Sequence, residues 1–418
     1  MTLSESSTVS PAPSPPYHSL AILSIGVGVL LLFVSLCSFA AFLIAPFANS
    51  PTALESNTAL LSFFAIALGY GALLVVMGRG LLRNQLTAPF RLPRFYWFVA
   101  LFLFVLLVGQ AILALNVGAA YLFPAWHVIA SLLVPLAVLS FAARRLEAVS
   151  WRSVLAQFAW GGLVTIALSF IFEIIIGAVV SILALLAIVL LLGMTRVNAL
   201  TAAIRSAQGD PQRIMQLLSQ EPVIVLIGGS VLLALFVFII PLLEETLKSA
   251  GPAILIARRV RSLSAPSRGT ALLWGLAAGA GFAFSENMLN AQGSLGNPSS
   301  LTGLWAGAMF LRAGTSLMHM LCTATATRGW YEALAEKKFI RLPLWLLAAT
   351  ALHGFWNAGA FMLGGVSVFT DANRSLALMT GVLAILVLLF LLLLVVLALI
   401  WLRVVLHWAR LMRVESIV

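Results

Sequence analysis

Apolar runs of twenty or more residues recur along most of the chain, and the polar segments between them are short. A helix of about 20 apolar residues suffices to cross a bilayer. The pattern predicts ten spans, at about 19–46, 58–78, 95–115, 124–143, 154–194, 222–257, 269–292, 302–327, 343–365 and 376–402. The expected fold class is all-α, a polytopic transmembrane helical bundle, because helices satisfy their backbone polar groups within lipid.

The basic side chains give this bundle an orientation. Eighteen of the 24 Lys and Arg follow the second, fourth, sixth and eighth spans or lie in the C-terminal tail. Examples are Arg79, Arg83, Arg91, Arg94, Arg144, Arg145, Arg258, Arg259, Arg261, Lys337 and Lys338. Arg196, Arg205, Arg213 and Arg374 fall on the opposite side, and Lys248 and Arg312 lie within spans. The positive-inside rule then predicts a multi-pass protein of the cell (plasma) membrane with both termini cytoplasmic.

The fifth run is too long for one straight span. Two crossings would invert every later connection and put Arg258, Arg259 and Arg261 outside. One crossing plus an extension, bent or interfacial near Gly177, is expected. Glu173 within it reads as a lone carboxyl facing a neighbouring helix or the outer interface. The longest polar connection, 196–221, contains Asp210-Pro211, an N-cap followed by proline at the first helical position. A short amphipathic helix on the outer surface is expected there, as a connector or a substrate-facing element.

Composition agrees. The 418 residues are 62% hydrophobic and 9% charged, with mean hydropathy +1.09, which excludes a water-soluble domain. The net charge of +11 sits in loops between spans, so it points to membrane orientation and not to nucleic acid. Cys37 and Cys322 both fall in spans and have no zinc spacing. The first eighteen residues are Ser/Pro-rich without Lys or Arg and read as a disordered cytoplasmic tail before the first span.

One stretch breaks the apolar pattern. Pro241-Leu242-Leu243-Glu244-Glu245-Thr246-Leu247-Lys248 puts two carboxylates and an ammonium at bilayer depth. Each such group costs roughly 2.5–3.5 kcal/mol on insertion scales and so needs partners. Glu244 and Lys248, four apart on a helix, share a face and are expected to pair. Glu245 points about 100° away and stays available for chemistry. Seven of the eight ionisable groups at membrane depth follow residue 240: Glu244, Glu245, Lys248, Glu286, Arg312, His319 and His353. Spans one to five (19–195) therefore read as scaffold, 196–221 as an extracytoplasmic connector, 222–365 as the working core, and 366–418 as the last span and a basic cytoplasmic tail.

Within that core, Phe282 and Glu286 are one helical turn apart, after Gly275, Gly279 and Gly281, which permit close helix approach. Arg312 and His319 share a face, with Thr323 one turn on, and Arg312 reads as a counter-ion. His353 and Asn357 lie at i and i+4. Carboxylates and imidazoles together supply a general base, a general acid and metal ligands. Glu245, Glu286, His319 and His353 are the candidate ligands, enough for one zinc ion, although there is no HExxH. Simpler readings stand beside this one. A Glu–Lys pair can merely lock packing, an intramembrane histidine can be a packing residue, and Cys322 beside His319 reads as a small core residue. His18, His127 and His407 fall at span ends and read as interfacial.

Glu244-Glu245-x-x-Lys248, Phe282-x-x-x-Glu286-Asn287, His319 and His353-x-x-x-Asn357, in order on separate spans, resemble the PrsW family of intramembrane proteases. That family is related to the type II CAAX prenyl protease and bacteriocin-processing superfamily. The resemblance spans about 222–365. It implies an endopeptidase that cuts a membrane-anchored protein substrate, such as an anti-sigma factor, within the lipid bilayer. It also implies Glu244 and Glu245 as water-activating or metal-binding residues, His319 and His353 as catalytic or ligand positions, and Asn357 as an oxyanion-side donor. The second motif ends in Glu286 where the CAAX branch has His, which leaves metallo- and glutamic-type chemistry both open. A proton- or ion-coupled transporter or channel using the same buried charges is the alternative, and an inactive binding scaffold a third.

Overall fold

The computed structural model describes residues 17–45, 53–83, 88–116, 118–207, 209–290, 305–372 and 377–410. The expected tails before residue 17 and after residue 410, and the ends of the seventh and eighth spans within 291–304, lie outside the described residues. Among the described residues there are twelve helices and no strand beyond one bridge between Pro89 and Ser150. They are α1 (Tyr17–Ile44), α2 (Ala53–Leu82), α3 (Phe95–Leu115), α4 (Ala119–Ala143), α5 (Trp151–Leu192) and α6 (Met194–Ser206). There follow α7 (Pro211–Ser219), α8 (Pro222–Arg261), α9 (Arg268–Asn290), α10 (Trp305–Leu334), α11 (Arg341–Ala372) and α12 (Ala377–Arg410).

The ten expected spans coincide with the ten long helices, and the protein is a polytopic helical bundle. Eight of the ten are long and apolar enough to cross a membrane by length and composition alone. The other two, α9 and α10, carry more Gly, Ala, Ser and Thr and face protein instead of lipid. From Ala271 to Ser285 nearly every α9 side chain is buried, as is α10 from Ser316 to Thr327. A helix hydrophobic on all sides is not required where neighbouring helices replace lipid, and small side chains let those neighbours close in.

The connections that hold most basic residues meet at one end. Phe90 N donates to Val149 O at 2.6 Å, an Arg144 N–H donates to Leu92 O at 2.7 Å, and Arg410 Nε donates to Arg145 O at 3.0 Å. Arg268 pairs with Glu336 at the same end. If this end is cytoplasmic, a cysteine placed at Ser264 should resist a membrane-impermeant thiol reagent in intact cells, and one at Arg205 should react. Labelling of the Ser264 position from outside would invert the topology.

Two departures from the expected fold carry information. In the fifth span, α5 continues as a helix through Gly177 to Leu192. The irregularity is a π-helical segment, Trp160–Thr165, that packs on α9. A side chain at Gly161 would collide with Ala278 O, and one at Gly162 with the Tyr70 hydroxyl and Gly281 O. The close backbone contact, not chain length, sets where the helix deforms. Also, His127 is not interfacial. Helix α4 begins at Ala119, so His127 sits two turns inside, fully buried, accepting from Trp305 Nε1 at 3.2 Å. The 196–221 connection contains the expected helix α7, with Asp210 Oδ1 accepting from Arg213 N at 3.3 Å, and a second helix, α6, before it.

Candidate active site

The site is built from α8, α9, α10 and α11. In α8 a second π-helical segment, Ala234–Ile239, immediately precedes Pro241. Proline has no N–H and cannot donate to the carbonyl four residues back. That carbonyl belongs to Val237, and the backbone of Gly354 packs directly on it; any side chain at 354 would overlap Val237 O. Asn357 Nδ2 donates to the neighbouring Phe236 O at 3.1 Å. Proline, π turn, glycine and asparagine thus form one device. It docks α11 against α8 and sets His353, one residue before Gly354, beside Glu244 and Glu245.

Lys248 Nζ is the centre of the site. It lies 2.8 Å from Glu244 Oε2, 2.7 Å from Glu245 Oε1 and 2.9 Å from His319 Nδ1. It also sits 3.9 Å from the centre of the Phe282 ring, a cation–π contact that covers its remaining side. The side chain is fully buried. Sequence spacing had paired Lys248 with Glu244 and left Glu245 aside. The long lysine stem reaches both the i−4 and the i−3 carboxylate, so the two share one ammonium.

Glu245 is the most constrained carboxylate, with no exposure. Besides Lys248 it meets His353 Nδ1 at 2.9 Å, and its Oε2 accepts from Thr323 Oγ1 at 2.9 Å. Glu244 is held less tightly. Its side chain keeps 11% exposure, and Oε2 has no well-aligned hydrogen-bond donor among the described residues despite the ion-pair distance to Lys248. His353 Nε2 faces that same Oε2 across 3.9 Å.

His319 links this group to a second pair. Its Nε2 is 2.5 Å from Glu286 Oε2, and Glu286 Oε1 is 3.1 Å from Arg312. The network assigns the ring proton to Nε2, leaving the Nδ1 lone pair toward Lys248. Glu286 and Arg312 keep 22% and 24% exposure, so the site opens on this side. The imidazoles of His319 and His353 meet edge-on, 4.8 Å apart.

The structure therefore brings together Glu244, Glu245, Lys248, His319 and His353, with Glu286 and Arg312 one contact further out. The atoms that converge as a metal-binding group are from Glu244, Glu245, His319 and His353, all within 4.8 Å of one another. Glu286, expected among the ligands, instead takes the far nitrogen of His319 and orients the ring. Ligating histidines commonly donate their other nitrogen to a carboxylate in this way. Asn357 has its amide committed to Phe236 O. Sequence reasoning noted Thr323 only by its spacing from His319, and missed the hydroxyl bond that fixes Glu245. Glu173, expected as a lone carboxyl facing a neighbouring helix or the outer interface, lies on α5, which packs against α8. Cys322 is buried and packs with Ala326 and Ala349.

The residues present fit a divalent ion. Two carboxylates and two imidazoles are a donor set suited to zinc or similar metals, and the under-coordinated Glu244 Oε2 is a buried acceptor without a full partner set. The ammonium of Lys248 touches three of the four donors, so it and a metal ion draw on the same atoms.

The bundle thus carries carboxylates and histidines on four of its helices, converging on one pocket. A family model described as PrsW family intramembrane metalloprotease matches residues 149–401, more than half of the chain, and the chain belongs to that family. The match begins before α5 and ends within α12, so it takes in more than the 222–365 stretch where the motifs lie. Searches of curated proteins and of solved structures found no match.

Proposed function

We propose that the protein hydrolyses a peptide bond of a membrane-anchored protein, for example a single-span anti-sigma factor, in the plane of the membrane. The observation that carries this reading is the convergence of the Glu244, Glu245, His319 and His353 donor atoms within 4.8 Å, on a side that opens past Glu286 and Arg312. Family membership makes the chain an intramembrane protease by class; substrate and mechanism are what is proposed.

Each residue has a role in this reading. Glu244, partly exposed and weakly partnered, takes the proton from the attacking water. Glu245, locked by three partners, orients His353 and balances Lys248. Glu286 fixes the ring of His319, and Arg312 stabilises charge near the open side. Asn357 holds α11 in register and need not touch substrate. His319, His353 and Glu245 would hold one zinc ion, with Glu244 beside it as the base. When bound, such an ion polarises the scissile carbonyl and lowers the pKa of water. Helices α1 to α4 act as scaffold, and both termini face the cytoplasm of a plasma-membrane protein.

The test is cleavage of candidate single-span proteins co-reconstituted with wild-type protein, alongside metal analysis. Near-stoichiometric zinc and loss of cleavage on strong chelation are expected. Fully active, metal-free protein would replace the metal with water activation by Glu244 and a histidine alone. A proton- or cation-flux signal in sealed vesicles, with no cleavage of any candidate, would favour the transporter reading.

A further inference from the structure

Away from the active site, an apolar cavity of about 630 Å³ lies between α3, α4, α10 and α12. Its walls are aliphatic and aromatic, from Phe102 and Leu388 at one end to Phe95, Phe141 and Arg403 at the other. Phe310, Leu388 and Leu392 on its wall are exposed, so it opens sideways to lipid. Along α12 it extends over fifteen residue steps, from Leu388 to Arg403. That is about 22 Å at 1.5 Å per residue, longer than one leaflet of hydrocarbon, about 15 Å.

The single charged side chain on its lining, Arg403, is not alone at that end. Arg410 lies seven residues on, on the same helix face, and its Nε donates to Arg145 O at 3.0 Å. Arg145 lies over the Phe141 ring at 3.6 Å, at the rim. Burial, then the like charges of Arg410 and Arg403, depress the Arg145 guanidinium below its ordinary pKa. Nearby, Arg268 pairs with Glu336, and Arg328 and Arg341 share Glu332. Among the described residues no carboxylate pairs with Arg145, Arg403 or Arg410. Three guanidiniums with no carboxylate paired to them among the described residues, set over a long apolar slot, match a molecule with an anionic head and a long hydrocarbon tail.

We propose that this cavity is a binding site for an anionic glycerophospholipid, its acyl chain in the slot and its phosphate on Arg403, Arg145 and Arg410. The cationic end is the one expected to face the cytoplasm, where anionic lipids concentrate. The occupied slot also braces the catalytic helices. Trp356, on its wall, lies one turn from His353 and donates to Thr315 of α10 at 3.0 Å.

The experiment is native mass spectrometry and thermal unfolding of the full chain in detergent, with added phosphatidylglycerol, phosphatidylcholine or inorganic phosphate. Wild type should retain one phosphatidylglycerol in preference to phosphatidylcholine and melt higher with it, while phosphate alone gives no shift. Each arginine is expected to contribute about five-fold, so the triple Arg145→Gln, Arg403→Gln, Arg410→Gln variant should lose about a hundred-fold of the preference. Ala137→Phe, which fills the slot and leaves the arginines in place, should abolish retention of either lipid. Unchanged melting without lipid shows that each variant folds. The proposal is overturned if phosphatidylcholine is held equally well, if phosphate gives the same shift, or if the triple variant keeps its preference. It is equally overturned if Ala137→Phe retains lipid, or if a single-span substrate occupies the slot in place of lipid.

Discussion

Glu244→Gln is expected to lower cleavage by roughly 10²–10⁴-fold, the range for loss of a general base, and to leave the amount of folded protein close to wild type. The asymmetry between the two adjacent glutamates carries this expectation. Glu244 keeps 11% exposure and one charged contact, to Lys248. A glutamine there retains an oxygen for the ammonium but cannot take a proton from water. Glu245 has no exposure and three partners: Lys248, His353 and Thr323. Glu245→Gln should therefore lose both cleavage and folded protein. Cleavage per folded molecule, measured on size-exclusion-purified variants, separates the two. Near-normal turnover in Glu244→Gln would move the base to another group and sink the assignment.

Lys248→Met is expected to cost about 3–5 kcal/mol of stability, the range for removing one partner of a buried pair. The ammonium touches Glu244, Glu245 and His319 within 2.9 Å. Its removal leaves two neighbouring carboxylates without their shared cation in a largely buried site. The double variant Lys248→Met, Glu245→Gln should recover a large part of the loss, because one of the stranded charges is gone. The measurement is detergent-melting temperature and yield of membrane-inserted protein for the single and double variants. Equal instability of single and double variants would mean that Lys248 acts through packing, and the shared-ammonium account would fail.

The ten long helices, and the clustering of ionisable groups after residue 240, were legible in the sequence because lipid solvation writes itself plainly into composition. So were the faces carrying His319 with Arg312, and His353 with Asn357, because regular helices obey i, i+4. What regular spacing does not encode was missed. The two π segments depend on backbone contacts across helices: Gly161 and Gly162 against α9, and Gly354 against Val237. Ideal periodicity gave each carboxylate a direction, but not the reach of the Lys248 stem to both. It placed Glu286 near the histidines, but not on the far nitrogen of His319, since ring orientation is fixed only by the packed neighbours. Asn357 shows the same limit. Its spacing from His353 is regular, while its partner, Phe236 O, is a carbonyl of the π-helical segment.

The contacts around His319 also have an electrostatic consequence. One imidazole joins two ion pairs into a single assembly: three carboxylates (Glu244, Glu245, Glu286) against two cations (Lys248, Arg312). The carboxylates of this assembly outnumber its permanent cations. In a medium of low dielectric that deficit is felt strongly, and the membrane around it supplies no counter-ions. The assembly thus has a standing appetite for one more positive charge, whether a proton or a metal ion, entering past Glu286. Electroneutrality alone therefore favours a cationic guest in the resting pocket.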